Sequence, residues 1–195
     1  LTKQNTKRIY STDKPDLRFD VKIQDVTDIV RNAEFKVFKD VAAQPKGAVL
    51  ALCIPKAEAS RKDIDTLTEF AKTEGAGGLA YFKVEQDKLE APIAKFFSAQ
   101  TLEDIKKKTN ASNGDLIVFA ADELSKARKI LGAVRLFASR WKGWTKNNVF
   151  HFSWITDFPL FKRNEEENRW DSEHHPFTSP RLADWEKYKP TGELD

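Results

Sequence analysis

The sequence has 195 residues, of which 40% are hydrophobic and 32% charged, enough for one or two domains with a real core. Its 33 basic and 30 acidic residues leave a net charge of +3, so bulk charge alone does not indicate a nucleic-acid partner. The single cysteine, Cys53, excludes a disulfide framework within one chain, and no apolar run reaches the roughly 18–20 residues of a membrane span. The chain begins with Leu1 and contains no methionine, so we interpret it as a piece of something longer.

Short helices and strands are predicted in the first part of the chain. A helix is expected from Asp25, whose side chain would cap its N-terminus. Residues 33–38, AEFKVF, alternate apolar and polar side chains, which predicts a half-buried strand. Residues 48–54, AVLALCI, form an uninterrupted apolar run, which is typical of a strand covered on both faces.

A helix with two clear ends follows. Ser60 is a favourable N-cap with Asp63 three residues later, and Gly75 suits the left-handed position just past a helix C-terminus. Residues 79–84, LAYFKV, then predict another strand. Thr101 is expected to cap a short helix that runs to residue 108.

The last strand and helix of this region complete an α+β unit. Residues 116–121, LIVFAA, predict a strand, and a longer helix is expected from about residue 123 to 141. Residues 33–141 therefore alternate strands and helices in a compact α+β unit. We interpret the basic side chains spread around the long helix as a solvated face: Arg128, Lys129, Arg135 and Arg140.

The composition changes after residue 146. Residues 149–161 are rich in aromatic and β-forming side chains and read as a strand-like segment. An acidic, hairpin-like excursion is predicted at residues 164–168, and a helix-compatible stretch at residues 183–188.

A stiff loop containing two adjacent histidines follows the aromatic segment. His174 and His175 are two of the three histidines, and Pro176 and Pro180 restrict the backbone around them. Imidazoles titrate near neutrality, so the pair suits recognition of a small anionic or polar substrate. The alternative is an exposed turn whose histidines have no role, or one of which fills a core.

Several common signatures are absent from the sequence. It contains no phosphate-binding loop of the G-x-x-x-x-G-K-S/T type, no G-x-G-x-x-G and no C-x-x-C pair. We predict no metal site, because Glu173, His174 and His175 are consecutive and adjacent side chains seldom converge on one ion.

An ordered set of segments resembles the bacterial and mitochondrial type of aspartyl-tRNA synthetase. Residues 10–19, YSTDKPDLRF, are similar to a Y-G-S-D-K-P-D-L-R segment of that family, with Ser11-Thr12 in place of the usual Gly-Ser. Further segments resemble the inserted GAD domain, which is shared with the B subunit of the tRNA-dependent amidotransferase: AEFKVF at 33–38, RKDID at 61–65, GLAYFKV at 78–84, PIAKF at 92–96 and GAVRL at 132–136. The segments WITDFPLF at 154–161 and HHPFTSP at 174–180 look like the return to the catalytic core.

The resemblance implies a domain order and a fold class. Residues 1–32 would end a class II core segment, residues 33–144 would be the GAD-like insertion with a mixed or antiparallel sheet, and residues 145–195 would return to the core. The expected fold class is α+β, with partial class II core segments on both sides of the insertion.

The resemblance also implies a function for the parent protein. Enzymes of this family activate L-aspartate with ATP and Mg²⁺ to aspartyl-adenylate and transfer it to tRNA(Asp), and the parent would be a homodimer. His174 would contact aspartate and, on a weaker match, His175 the adenylate or ATP side. The expected location is the bacterial cytoplasm, with the mitochondrial matrix as the alternative, and no membrane partner is implied.

The family's ATP-binding F-R-x-E segment and its later glycine-rich segment are not found in this sequence. We therefore expect no catalytic residue, no bound cofactor and no adenylate formation in this piece alone. Two alternatives stay open: a non-catalytic, tRNA-contacting GAD module like the amidotransferase subunit, and a purely structural insertion. The parent would charge tRNA(Asp), either alone or together with tRNA(Asn).

Overall fold

The computed structural model of the protein describes residues 1–164, 166–173 and 181–191. Helices α1 to α7 span Lys3–Tyr10, Thr27–Val30, Lys36–Ala42, Arg61–Thr73, Ala99–Thr109, Leu124–Trp141 and Leu182–Thr191. Strands β1 to β7 span Ile23–Asp25, Gly47–Ile54, Ala80–Glu85, Lys88–Glu90, Leu116–Glu123, Phe161–Asn164 and Arg169–Ser172, and a 3-10 turn covers Ala94–Phe96.

The chain divides into two compact units. Residues 5–153 form the larger unit, and residues 1–4 together with 154–195 form the smaller one. The domain limits expected from the resemblance, with an insertion at 33–144, remain a prediction.

The larger unit is built on a five-stranded sheet in the order β1-β2-β5-β3-β4, and every pairing is antiparallel. The two long strands β2 and β5 pair along their whole length, from Gly47 opposite Glu123 to Ile54 opposite Leu116. Both lie inside the sheet, which explains why their sequences are continuous apolar runs. With helices on both faces, the unit has the predicted α+β architecture.

Each face of the sheet has its own hydrophobic core. On β2, Leu50, Leu52 and Ile54 point to one face, while Val49 and Ala51 point to the other. Helices α4 and α6 cover the first face, and α2, α3 and α5 cover the second. The period of two along a strand thus divides one apolar run between two cores.

The ends of α4 agree with the prediction. Ser60 forms a capping box with Asp63, in which the Ser60 backbone N–H donates to Asp63 Oδ2 at 2.9 Å and the Asp63 N–H donates to Ser60 Oγ at 3.3 Å. At the other end, Gly75 has a φ of +99°, and the N–H groups of Gly75 and Ala76 donate to the carbonyls of Lys72 and Ala71. This is a Schellman motif, which needs a left-handed residue at the glycine position.

The prediction of a strand at residues 33–38 is wrong, because Lys36–Ala42 is helix α3. Phe35 is the N-cap residue of this helix and Phe38 lies in its first turn, and their rings lie edge to face at 4.9 Å. Phe38 is buried against the sheet, and Lys36 and Val37 are exposed. A six-residue window could not distinguish the helical period from alternation.

Two predicted caps are also wrong. Helix α5 is capped by Ser98, whose Oγ accepts from the Thr101 N–H at 3.1 Å, so Thr101 is the third residue of the helix rather than its cap. The N-cap position of α2 is Val26, and Asp25 instead accepts from the Thr27 N–H at 3.0 Å.

The smaller unit contains a two-stranded hairpin. Strands β6 and β7 pair from Phe161 opposite Ser172 to Asn164 opposite Arg169, which confirms the predicted hairpin around the acidic excursion. The expected strand over 149–161 is not regular before residue 161, apart from one bridge between Thr2 and Thr156. No helix among the described residues combines the length and apolar composition that crossing a bilayer requires.

Candidate functional site

The segment at residues 10–19 is held against helix α6 by one buried arginine. Arg135 is 1% exposed. Its Nε donates to the carbonyl of Val21 at 2.6 Å, and its Nη2 donates to those of Asp16 at 2.7 Å and Phe19 at 3.2 Å. The interpretation of Arg135 as part of a solvated face is therefore wrong.

The guanidinium of Arg135 also contacts two aromatic rings. It lies 4.1 Å from the centre of the Phe19 ring and 4.8 Å from that of Tyr10. Burial lowers the pKa of Arg135, and the nearby Tyr10, Asp16 and Asp20 act in the opposite direction. Because a guanidinium stays charged in proteins, the three carbonyl dipoles and two rings replace the water that the charge has lost.

Helical spacing in the sequence contained a signal for this burial. Arg135 lies four residues after Leu131 and three before Ala138, next to Val134, and all three neighbours are buried on α6. An arginine inside the apolar stripe of a helix must find acceptors, and here they come from residues 16–21.

A second arginine joins the two chain segments that flank the α+β unit. Arg18 donates to both oxygens of the Asp16 carboxylate, at 2.9 Å from Nε and 2.7 Å from Nη2. Its Nη1 also donates to the carbonyl of Lys146 at 3.3 Å. Residues before β1 and residues after α6 are thus connected at one point of the larger unit.

The pKa of Asp16 is held below its ordinary value, chiefly by the side-chain hydrogen bond from Arg18, and burial opposes the shift. A lowered pKa in the folded state means that the ionised pair stabilises the fold above the pKa of the unfolded chain. This contribution is lost as the pH falls through the folded pKa.

We expect Arg18→Gln to raise the pKa of Asp16 in an NMR titration. Lys22→Gln, which removes a partner of Asp20 instead, should leave it unchanged; equal shifts in both variants would contradict the assignment.

Helix α6 lies in close contact with the 10–19 segment at Gly132. A Cβ at Gly132 would lie 2.8 Å from Ser11 Cβ and 3.1 Å from Ser11 Oγ, and Ser11 itself has a φ of +66°. Glycine to alanine in a helix normally stabilises by about 1 kcal/mol. Here we expect Gly132→Ala to destabilise by about 1–3 kcal/mol, measured by chemical unfolding, because Ser11 must shift.

Gly77→Ala is the matched control for this substitution, since no heavy atom lies within 4 Å of a Cβ built there. It should change stability by no more than about 0.5 kcal/mol. If the Gly132→Ala protein were as stable as the unsubstituted chain, helix α6 and the 10–19 segment would not be in tight contact.

The two histidines of the predicted site, His174 and His175, lie outside the described residues. The chain is described up to the residue before them. Glu173 donates its N–H to the carbonyl of Leu160 at 3.0 Å and forms an ion pair with the buried Lys3. Lys3 Nζ also lies 5.0 Å from the centre of the Phe158 ring. The roles expected of the two histidines remain predictions.

Among residues 1–164, 166–173 and 181–191, no group of three or more His, Cys, Asp or Glu side chains could hold a metal ion. The side chains that the structure does bring together are those of the segment at residues 10–19 and of α6, which the sequence had assigned to separate parts of the chain.

The central part of the chain is similar to a known domain family. Residues 38–131 match the family model described as the GAD domain. This range runs from helix α3 into helix α6, so it includes β2 to β5 of the antiparallel sheet.

Curated relatives match nearly the whole chain. It is 45% identical over 188 residues to the aspartate–tRNA(Asp/Asn) ligase of Thermodesulfovibrio yellowstonii, which covers 96% of this chain and 31% of that protein. It is 43% identical over 180 residues to the aspartate–tRNA ligase of Staphylococcus carnosus, covering 91% and 30% respectively. The aspartate–tRNA(Asp/Asn) ligase of Natranaerobius thermophilus is 40% identical over 190 residues, which covers 97% of this chain and 32% of that protein. The chain thus spans less than a third of the length of these relatives.

Proposed function

We propose that the chain is a segment of an aspartate–tRNA ligase of the bacterial type, because residues 38–131 match the GAD domain and ligases of that name match nearly the whole chain. The parent protein would activate L-aspartate with ATP and transfer it to tRNA(Asp).

The observation that carries this proposal is the extent of the similarity. The GAD model matches residues 38–131, whereas the ligases match up to 97% of the chain and so include residues on both sides of that domain. A free-standing GAD module would share the domain alone. The relatives described above therefore favour a ligase segment over the alternative of a non-catalytic tRNA-contacting module.

Different parts of the parent would bind the different substrates. The ATP and Mg²⁺ that react with aspartate would be bound by parts of the parent beyond this chain, because the catalytic ATP-binding segments of the family are not found here. His174 would contact the substrate aspartate, and His175 the adenylate side.

Two exposed aromatic residues support the proposal that more of the parent covers this chain. Phe150 and Phe152 are 80% and 91% exposed, and their rings stack with centres 6.5 Å apart. Exposed pairs of large apolar side chains commonly mark a surface that another part of a protein covers. In the parent, the ligase core would cover this surface. The parent would be a homodimer in the bacterial cytoplasm, and the mitochondrial matrix is the alternative location.

The test is aminoacylation by the parent enzyme with His174→Ala. Loss of a donor that contacts a substrate carboxylate is expected to lower kcat/KM for aspartate by at least about tenfold. Lys36→Ala is the control, because Lys36 is exposed on helix α3 and lies outside both the histidine loop and the aromatic surface of Phe150 and Phe152. It should leave kcat/KM within about twofold.

Two results would contradict the proposal. An unchanged kcat/KM in the His174→Ala enzyme would remove the role of that histidine, and a parent that charges no tRNA with aspartate would remove the function. Pyrophosphate exchange by the isolated 195-residue chain would contradict the part that assigns ATP binding elsewhere.

A further inference from the structure

A cleft of about 790 Å³ lies between the segment around residues 7–16 and helix α6, within the larger unit. Basic side chains line it from both sides: Lys7 and Lys14 from the segment, and Arg128 and Lys129 from the helix. Its volume is in the range of sites that enclose small-molecule ligands, about 300–1,000 Å³. Nothing in the proposed ligase function assigns a ligand to it.

Arg128 leaves a buried hydrogen-bond donor without an acceptor. Its Nε is shielded from solvent, and no acceptor in the described part of the chain lies within hydrogen-bond reach of it. Buried donors of this kind are rare in native proteins, because each costs the free energy of the water it has lost. By contrast, the guanidinium of Arg135, which also lines the cleft, is engaged with the carbonyls of Val21, Asp16 and Phe19.

The cleft carries an excess of positive charge. Its acidic lining residues are Asp16 and Glu74. The Asp16 carboxylate is already engaged through both oxygens by Arg18, which leaves Glu74 as the acidic group facing the basic side chains. Arg128 and Lys129 take part in no ion pair among the described residues.

The chemistry of the lining indicates which anion fits. A guanidinium matches the geometry of phosphate oxygens, and lysine ammonium groups add point charge at variable distance. Surfaces that bind single-stranded RNA usually add exposed aromatic platforms for the bases. The aromatic residue of this lining, Tyr10, is 8% exposed and lies under Arg135. A compact phosphate ligand therefore suits the cleft better than an RNA strand.

We propose that this cleft binds a compact, multiply charged phosphate ligand, either inorganic pyrophosphate or the polyphosphate of a nucleotide. Arg128 and Lys129 hold the phosphate from the helix, and Lys14 approaches it from the opposite wall. The inference stands apart from the proposed ligase function, since it rests on the cleft alone.

The test is isothermal titration of the chain with pyrophosphate, ATP, AMP and a short single-stranded RNA, at low salt. Pyrophosphate or ATP should bind, and the double variant Arg128→Gln/Lys129→Gln should weaken binding by about tenfold or more. Lys14→Gln should also weaken binding, because Lys14 approaches the phosphate from the opposite wall. Lys14 is exposed and lies outside the helix, so its replacement leaves the helix intact. Glu74→Gln should strengthen binding, because it removes the opposing charge.

Arg140→Gln is the control for non-specific attraction, since Arg140 is exposed on the same helix and does not line the cleft. Pyrophosphate stronger than ATP would identify the free anion as the ligand, and the reverse order would identify a nucleotide. The proposal is overturned if neither binds, if Arg140→Gln weakens binding as much as the double variant, or if RNA binds most tightly. Circular dichroism of each variant verifies that it is folded.

Discussion

Arg135→Met is expected to lower the free energy of unfolding of the chain by about 3–5 kcal/mol. Methionine retains most of the buried length of the arginine side chain but donates no hydrogen bond. The carbonyls of Val21, Asp16 and Phe19 would lose the donor that satisfies them inside the larger unit. The cation–π contacts with Phe19 and Tyr10 would be lost as well.

Urea unfolding followed by circular dichroism measures this effect. Arg140→Met is the matched control, because Arg140 lies on the same helix and is exposed. It should change stability by no more than about 0.5 kcal/mol. A loss below about 1 kcal/mol in Arg135→Met would mean that water or other donors replace the arginine, and its hydrogen bonds to residues 16–21 would then contribute little to stability.

Loss of the Arg135 hydrogen bonds also has a local consequence. Residues 16–21 would no longer be fastened to α6, so trypsin should cleave after Arg18 faster in Arg135→Met than in the Arg140→Met control. Equal cleavage rates would indicate that the segment is held by other contacts, such as those at Gly132.

Phe119→Ala is the other substitution with a large expected effect, about 3–5 kcal/mol of lost stability. Phe119 is 1% exposed on the inner strand β5. Its ring centre lies 5.4 Å from that of Phe38 and 5.5 Å from that of Phe82, in a cluster that joins α3 to the sheet. Truncation removes these ring contacts and leaves a cavity that the antiparallel strands on either side cannot close.

Phe150→Ala provides the comparison, since this phenylalanine is 80% exposed. Its removal should change the stability of the isolated chain by no more than about 0.5 kcal/mol. Phe119 and Phe150 both lie in apolar parts of the sequence but differ in burial, so a difference in stability between the two variants would be due to burial. Similar losses in the two proteins, measured by thermal or urea unfolding, would contradict the assignment of Phe119 to the core.

Local chemistry made part of the fold readable from the chain alone. The capping pair Ser60 and Asp63 and the glycine at position 75 mark the ends of α4, because caps and left-handed residues act within a few positions. The apolar runs of β2 and β5 indicate inner strands for a similar reason, since each residue there is buried on one face or the other. The ordered segments that resemble aspartyl-tRNA synthetases also needed no coordinates, and the curated relatives agree with them.

Features that depend on distant parts of the chain were not readable in this way. Residues 33–38 alternate like a strand, yet helix α3 begins within them at Lys36, because Phe35 and Phe38 pack with Phe96 and Phe97, about 60 residues away. The same distinction applies to the candidate site. His174 and His175 were selected from a local resemblance in sequence, and their roles remain predictions.

The role of Arg135 belongs to the second group. A charged side chain is normally exposed, and only the arrival of three carbonyls from residues 16–21, more than 110 positions earlier, makes its burial favourable. Caps, turns and apolar periodicity are properties of neighbours in sequence. Burial of a charge depends on which acceptors the completed fold brings to it, and that information exists only once the chain has packed.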